Sequence, residues 1–122
     1  MKYVRIHEDR NGLSHFEDIE VPFNLVEFAP PAPALNVSSV SLATGMGFVT
    51  FPVGWNGDWH PAPRRQLFLF LAGEIEAETG DGETRRFGPG SAVLVEDTAG
   101  QGHRSWVVGD VEVVAAVVHA PE

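Results

Sequence analysis

At 122 residues, the chain has the length of one ordinary domain, and its formal net charge of −9, from 8 Lys and Arg against 17 Asp and Glu, makes it a poor partner for nucleic acid. It contains no cysteine, which excludes disulfides, thiolate nucleophiles and cysteine-based zinc sites; any metal must rest on histidine and oxygen ligands. The longest near-continuous apolar run, residues 67–72, falls far short of the roughly 20 residues needed to span a membrane, and the opening Met1-Lys2-Tyr3-Val4-Arg5 starts no signal-peptide core. The expected compartment is the cytoplasm, with no membrane partner.

Taken from the N-terminus, residues 1–36 read as a strand arm followed by the linker Ala29-Pro30-Pro31-Ala32-Pro33-Ala34, which cannot donate a regular hydrogen-bond ladder. Residues 37–122 read as the body of the same domain. There the apolar period is two, as in Val37-Ser38-Ser39-Val40-Ser41-Leu42 and Glu74-Ile75-Glu76-Ala77-Glu78-Thr79, and no segment holds a helical period for three turns. Turn signals separate the runs at Gly45-Met46-Gly47, Gly80-Asp81-Gly82, Gly88-Pro89-Gly90 and Gly109-Asp110. Spacings of about ten residues between turns predict an all-β sandwich or barrel. Leu67-Phe68-Leu69-Phe70-Leu71 is apolar at both parities, predicting a central strand covered on its outer side by a second layer or subunit, and hence a homodimer.

The stretch from Gly54 to His103 carries the chemistry. Gly54 is followed by His60, Ala62, Gln66 and Gly73, and Thr98-Ala99-Gly100-Gln101-Gly102-His103 ends in a second imidazole. This layout resembles the two motifs of the cupin superfamily, in particular small single-domain bacterial cupins, and the resemblance covers most of the chain after about residue 37. It implies a double-stranded β-helix, the jelly-roll barrel of RmlC-like proteins. It also implies that the positions of the family's metal ligands fall on His60, Ala62, Gln66 and His103. Alanine ligates nothing, and Gln66 stands where the family has a carboxylate. His60, Gln66 and His103 are therefore candidates for a weakly held divalent transition metal, with Glu96 or Asp97 as sources of the missing anionic oxygen.

Strand parity extends the site. If no bulge intervenes, His60, Ala62, Arg64, Gln66, Phe68 and Phe70 share one face, and that face lines the barrel. Arg64 and Arg104 flank the two histidines, and a guanidinium fork suits a carboxylate or phosphate, so an anionic organic ligand is the expectation. Trp59 and Trp106, with Phe68 and Phe70, would give the cavity an apolar lining. His60 and His103 are also the candidate catalytic acid and base, because imidazole transfers protons near neutral pH without a metal. Two readings stand side by side: an enzyme of unassigned activity on a small molecule, and a non-catalytic binding or sensing module. Whether it is an enzyme is left open by the sequence.

Overall fold

The computed structural model describes residues 1–122, which form twelve strands and no helix. In chain order they are β1 (Lys2–Glu8), β2 (Ser14–Glu20), β3 (Asn24–Val26), β4 (Leu35–Val37), β5 (Gly45–Phe51), β6 (Asn56–His60), β7 (Gln66–Ala72), β8 (Glu74–Glu78), β9 (Thr84–Phe87), β10 (Ala92–Val95), β11 (His103–Val108) and β12 (Val113–His119). A six-stranded sheet, ordered β2-β1-β10-β7-β12-β5, faces a four-stranded sheet, ordered β6-β11-β8-β9, and β3 and β4 pair only with each other. The two larger sheets form the expected all-β jelly roll. No helix is present that could cross a membrane.

The alternation of apolar residues decides which face is buried. On β8, Ile75 and Ala77 are buried between the partly exposed Glu74, Glu76 and Glu78; on β12, Val113, Ala115 and Val117 are buried. Of these, Ile75, Ala77, Val113 and Ala115 meet Ile6, Phe16, Phe70, Phe87, Val93, Val95 and Val107 in one core. As expected, β7 is central, lying between β10 and β12. Its residues Phe68 and Phe70 face the barrel interior, where Phe70 stacks on Phe87 at 6.2 Å between ring centroids. On the opposite face Leu67 and Leu69 line an external groove of about 710 Å³ together with Tyr3, Phe23, Leu42 and Leu94.

Three expectations change. The N-terminal strands are integral to the barrel, since β1 pairs with β10 in parallel and β2 extends the same sheet, so residues 36 and 37 mark no structural boundary. The segment that does stand apart is the β3–β4 hairpin, whose two strands are exposed apart from Val37 at the end of β4. Residues 38–44 form no strand despite their alternation, and Gly45-Met46-Gly47 lies inside β5 rather than in a turn. Pairing with β12 along its whole length, from Gly45 opposite His119 to Phe51 opposite Val113, overrides the local preference of glycine for turns.

An ionic clamp joins the β1–β2 hairpin to the β8–β9 turn. Nε2 of His15 lies 2.8 Å from Oδ2 of Asp9, and Nδ1 lies 3.2 Å from Oδ2 of Asp81. The Asp9 hydrogen bond, reinforced by the charge of Asp81, raises the His15 pKa above its ordinary 6.5 against the opposing effect of burial. Asp9 is held below 3.8, chiefly by His15, and Asp81 below 3.8, chiefly by the Thr79 hydroxyl. A raised histidine pKa stabilises the fold fully below 6.5 and loses that contribution as pH rises through the folded value; the lowered carboxylates contribute above 3.8 and lose theirs as pH falls. The Tm gap between wild type and His15→Asn is therefore expected to be largest between about pH 5 and 6.5 and to narrow as pH rises above that. Thermal melts across that range check it, and a gap that widens towards high pH would contradict it.

Candidate functional site

His60 closes β6, His103 opens β11, and the two strands pair so that these residues stand directly opposite each other. Their ring centroids are 5.1 Å apart. Gly102 makes that approach feasible: its φ of 76° lies in the left-handed region, and a Cβ there would overlap the carbonyl of His60 and the nitrogen of Pro61. The turn before it is held by the Ser14 hydroxyl, which donates to the Gly102 carbonyl at 2.7 Å.

Each imidazole is anchored through Nδ1. His103 Nδ1 lies 2.6 Å from Oδ2 of Asp97, a carboxylate with no solvent exposure, and His60 Nδ1 lies 2.8 Å from the backbone carbonyl of Asp58. A carbonyl only accepts, so the His60 proton sits on Nδ1; the carboxylate of Asp97 likewise accepts a hydrogen bond from Nδ1–H of His103. The nitrogen left free on each ring is Nε2, an acceptor whenever the ring carries only its Nδ1 proton. Both rings line the barrel cavity, about 260 Å³ and open to solvent on the side of His60, along with Gln66, Ser105 and a wall that includes Phe51, Trp55, Phe68, Phe70 and Phe87. The other oxygen of Asp97 is buried without a partner, so that nearly all of its interaction is directed at His103.

The structure thus brings His60, Gln66, Phe68, Phe70 and His103 together and separates the rest. The single face expected from His60 to Phe70 does not exist, because β6 ends at His60 and β7 begins at Gln66 in the other sheet. The intervening residues form a loop in which Ala62 is 2% exposed in the core and donates its N–H to the Asp97 carbonyl at 2.9 Å. Arg64 falls in that loop and does not line the cavity; its Nε is buried without a partner. Arg104, Trp59 and Trp106 also lie off the cavity, because residues alternating with His103 and Ser105 point to the opposite face of the small sheet. There the Arg104 guanidinium sits 5.2 Å from the Trp59 ring and 5.7 Å from the Trp106 ring and pairs with Glu78 at 2.7 Å.

Of the two acids offered as substitute metal ligands, Glu96 is engaged elsewhere. Burial raises its pKa, but hydrogen bonds and charge from Arg5 and Arg65 outweigh that and hold it below 4.5. Asp97 is the residue that matters, as the partner of an imidazole. Its sequence signal was an acid six positions before His103, closing a glycine-rich turn on itself.

The donor set does not fit a divalent transition metal. Anchored Nδ1 atoms and free Nε2 atoms are what metal-bound histidines show, yet no group of three or more His, Asp or Glu side chains is arranged to hold an ion. With Asp97 behind His103 and Gln66 neutral, no carboxylate offsets the charge of a cation in the cavity.

The family model of the cupin domain matches residues 47–119, a span that contains most of β5, all of β6 through β12, both histidines and Asp97. The chain belongs to the cupin family. Among solved structures it is similar to the Cnp3 cupin domain of Schizosaccharomyces pombe, with 18% identity and a TM-score of 0.49 over 89% of this chain and 73% of that one. It is also similar to a conserved protein of unknown function from Streptococcus pyogenes, with 19% identity and a TM-score of 0.47 over 70% of this chain and 71% of the other. Neither supplies a substrate or a reaction for this chain. No curated protein matches its sequence significantly.

Proposed function

We propose that this cupin takes a small organic molecule into its barrel cavity and moves a proton on it through His103, without a metal. The observation that carries this reading is the 2.6 Å pair between His103 Nδ1 and the fully buried Asp97. A carboxylate placed there fixes the tautomer, aims Nε2, and stabilises the imidazolium that forms when Nε2 accepts a proton. The proton returns to the product, so the reaction is of the isomerase or lyase kind with no net oxidation. His60, with its own Nδ1 held by Asp58, presents a second acceptor to the same molecule.

The test is turnover of a library of small organic compounds by the whole protein, with and without EDTA, beside His103→Asn. Turnover that survives EDTA and disappears in the variant is the expected result; activity lost in chelator and restored by added metal would overturn the metal-free reading. The buried Ala62 and neutral Gln66 favour a second reading, a binding module, which predicts ligands that raise Tm but are recovered unchanged.

The homodimer expected from the sequence is supported by apolar surface that one chain leaves uncovered. Leu25, Phe28 and Leu35 on or beside the β3–β4 hairpin and Met46 and Phe48 on edge strand β5 are each more than half exposed. Sedimentation velocity at micromolar concentration is expected to give twice the chain mass, and a monomer there would remove the proposal.

A further inference from the structure

We infer that the ligand of the barrel cavity is an uncharged, single-ring molecule bearing one or two hydroxyl groups, with the ring against the aromatic walls and its hydroxyl protons on Nε2 of His60 and His103. This rests on the reading of the cavity as the ligand site. Charge is the first argument. No Lys, Arg, Asp or Glu lines the cavity. Arg65 is tied to Glu96 at 2.6 Å, and Arg104 to Glu78 and two tryptophans on the far face of the small sheet. An anion entering would lose its hydration with no counter-charge to replace it, against a protein of net charge −9. An ammonium group would be desolvated equally, without a carboxylate to receive it.

Size and shape come next. A cavity of about 260 Å³ falls just below the roughly 300–1,000 Å³ of pockets that take drug-sized ligands. That size suits one ring with a few substituents. Phe68, Phe70 and Phe87 follow one another with interplanar angles of 14° and 7°, so their faces run nearly parallel, while Trp55 meets Phe51 edge-on at 5.0 Å. Flat apolar faces of this kind suit a flat guest.

The polar end sets the head group. Because both Nδ1 atoms are occupied, the two Nε2 atoms are what the imidazoles offer the guest, as acceptors when each ring carries only its Nδ1 proton. Two acceptors on directly opposed residues, with ring centroids 5.1 Å apart, match a molecule that brings donors, and neighbouring hydroxyls on a ring bring two. A guest without a donor would leave Nε2 of the largely buried His103 desolvated and unpaired.

Titration calorimetry on the full chain at neutral pH, with toluene, phenol, catechol, benzoate and benzylamine as probes, tests this. Catechol is expected to bind roughly three- to tenfold more tightly than phenol, and benzoate and benzylamine roughly tenfold or more weakly than phenol. In His60→Leu, a change at an exposed residue on the cavity rim, catechol should fall to the level of phenol while Tm reports an intact fold. Tighter binding of benzoate or benzylamine than of phenol would overturn the inference and leave the cavity as a site for another ligand class. A catechol advantage that survives in both His60→Leu and His103→Leu would also overturn it. If none of the five binds wild type, the cavity reading itself falls.

Discussion

Gly102→Ala is expected to lower stability by roughly 3–5 kcal/mol and to drive the two site histidines apart. Two costs combine. A non-glycine residue in the left-handed region costs roughly 1–2 kcal/mol, and φ at this position is 76°. The added methyl would also overlap the His60 carbonyl and the Pro61 nitrogen, both backbone atoms that no rotamer change can clear. Relief requires the end of β6 to move away from β11, the one place where His60 and His103 stand opposite each other. For a domain of this size the loss corresponds to a fall in Tm of roughly 10–20 °C. Gly82→Ala is the control: its φ is 90°, but a Cβ there meets nothing within 4 Å. That variant should lose only the strain, roughly 1–2 kcal/mol. Equal losses in the two variants, read from thermal and denaturant melts, would show that the overlap is relieved without cost and that Gly102 does not set the spacing of the pair.

Asp97→Asn is expected to leave the barrel folded and to lower turnover by about 10³- to 10⁴-fold, the size of effect seen when the carboxylate of a Ser-His-Asp triad becomes an amide. The amide is nearly the same shape, so packing around a fully buried side chain is kept. What changes is what His103 Nδ1 faces. A carboxylate only accepts and so keeps the proton on Nδ1; an amide can present its N–H₂ instead, which moves the ring proton to Nε2 and removes the free acceptor from the cavity. The imidazolium formed on proton transfer would also lose its counter-charge. Imidazole nitrogen NMR reads this without any substrate: wild type should show the Nδ1–H tautomer at His103, and the variant should show Nε2–H. An unchanged tautomer and unchanged turnover would make Asp97 a packing residue and would remove the observation on which the proposed acid–base role depends. His60 supplies an internal reference, because its Nδ1 faces a backbone carbonyl that the substitution does not touch.

Much of this fold was legible because strands advertise themselves locally. The alternation in residues 74–79 gives a strand with one exposed face, and the doubly apolar run of residues 67–71 gives a central strand; both occur, although the single chain leaves the outer face of the central strand uncovered, with Leu71 more than half exposed. The glycine and histidine spacings, being properties of turns and strand ends, carried the cupin assignment and pointed to His60, Gln66 and His103; Phe68 and Phe70 came from strand parity, and both line the cavity. Parity failed where the chain left one sheet for the other. Counting by twos from His60 assumed a single strand, but the loop of residues 61–65 ends the count, buries Ala62, and takes Arg64 out of the cavity. Beyond a break in the strand, period two has no meaning, because the direction of the next side chain is set by the sheet it joins.

By itself, then, the sequence determined the class of fold, the order of its strands' apolar faces, the absence of any thiol chemistry, and the pairing of two histidines across a glycine turn. Only the tertiary structure decided which polar groups the cavity would contain. Arg104, Trp59 and Trp106 are close in sequence to the histidines yet lie on the other side of the small sheet, since adjacent residues on a strand point in opposite directions. Asp97 looked like one of two interchangeable acids. It became the partner of His103 because Arg5 and Arg65 draw Glu96 to one side while the glycine-rich turn folds the buried Asp97 back beneath the imidazole.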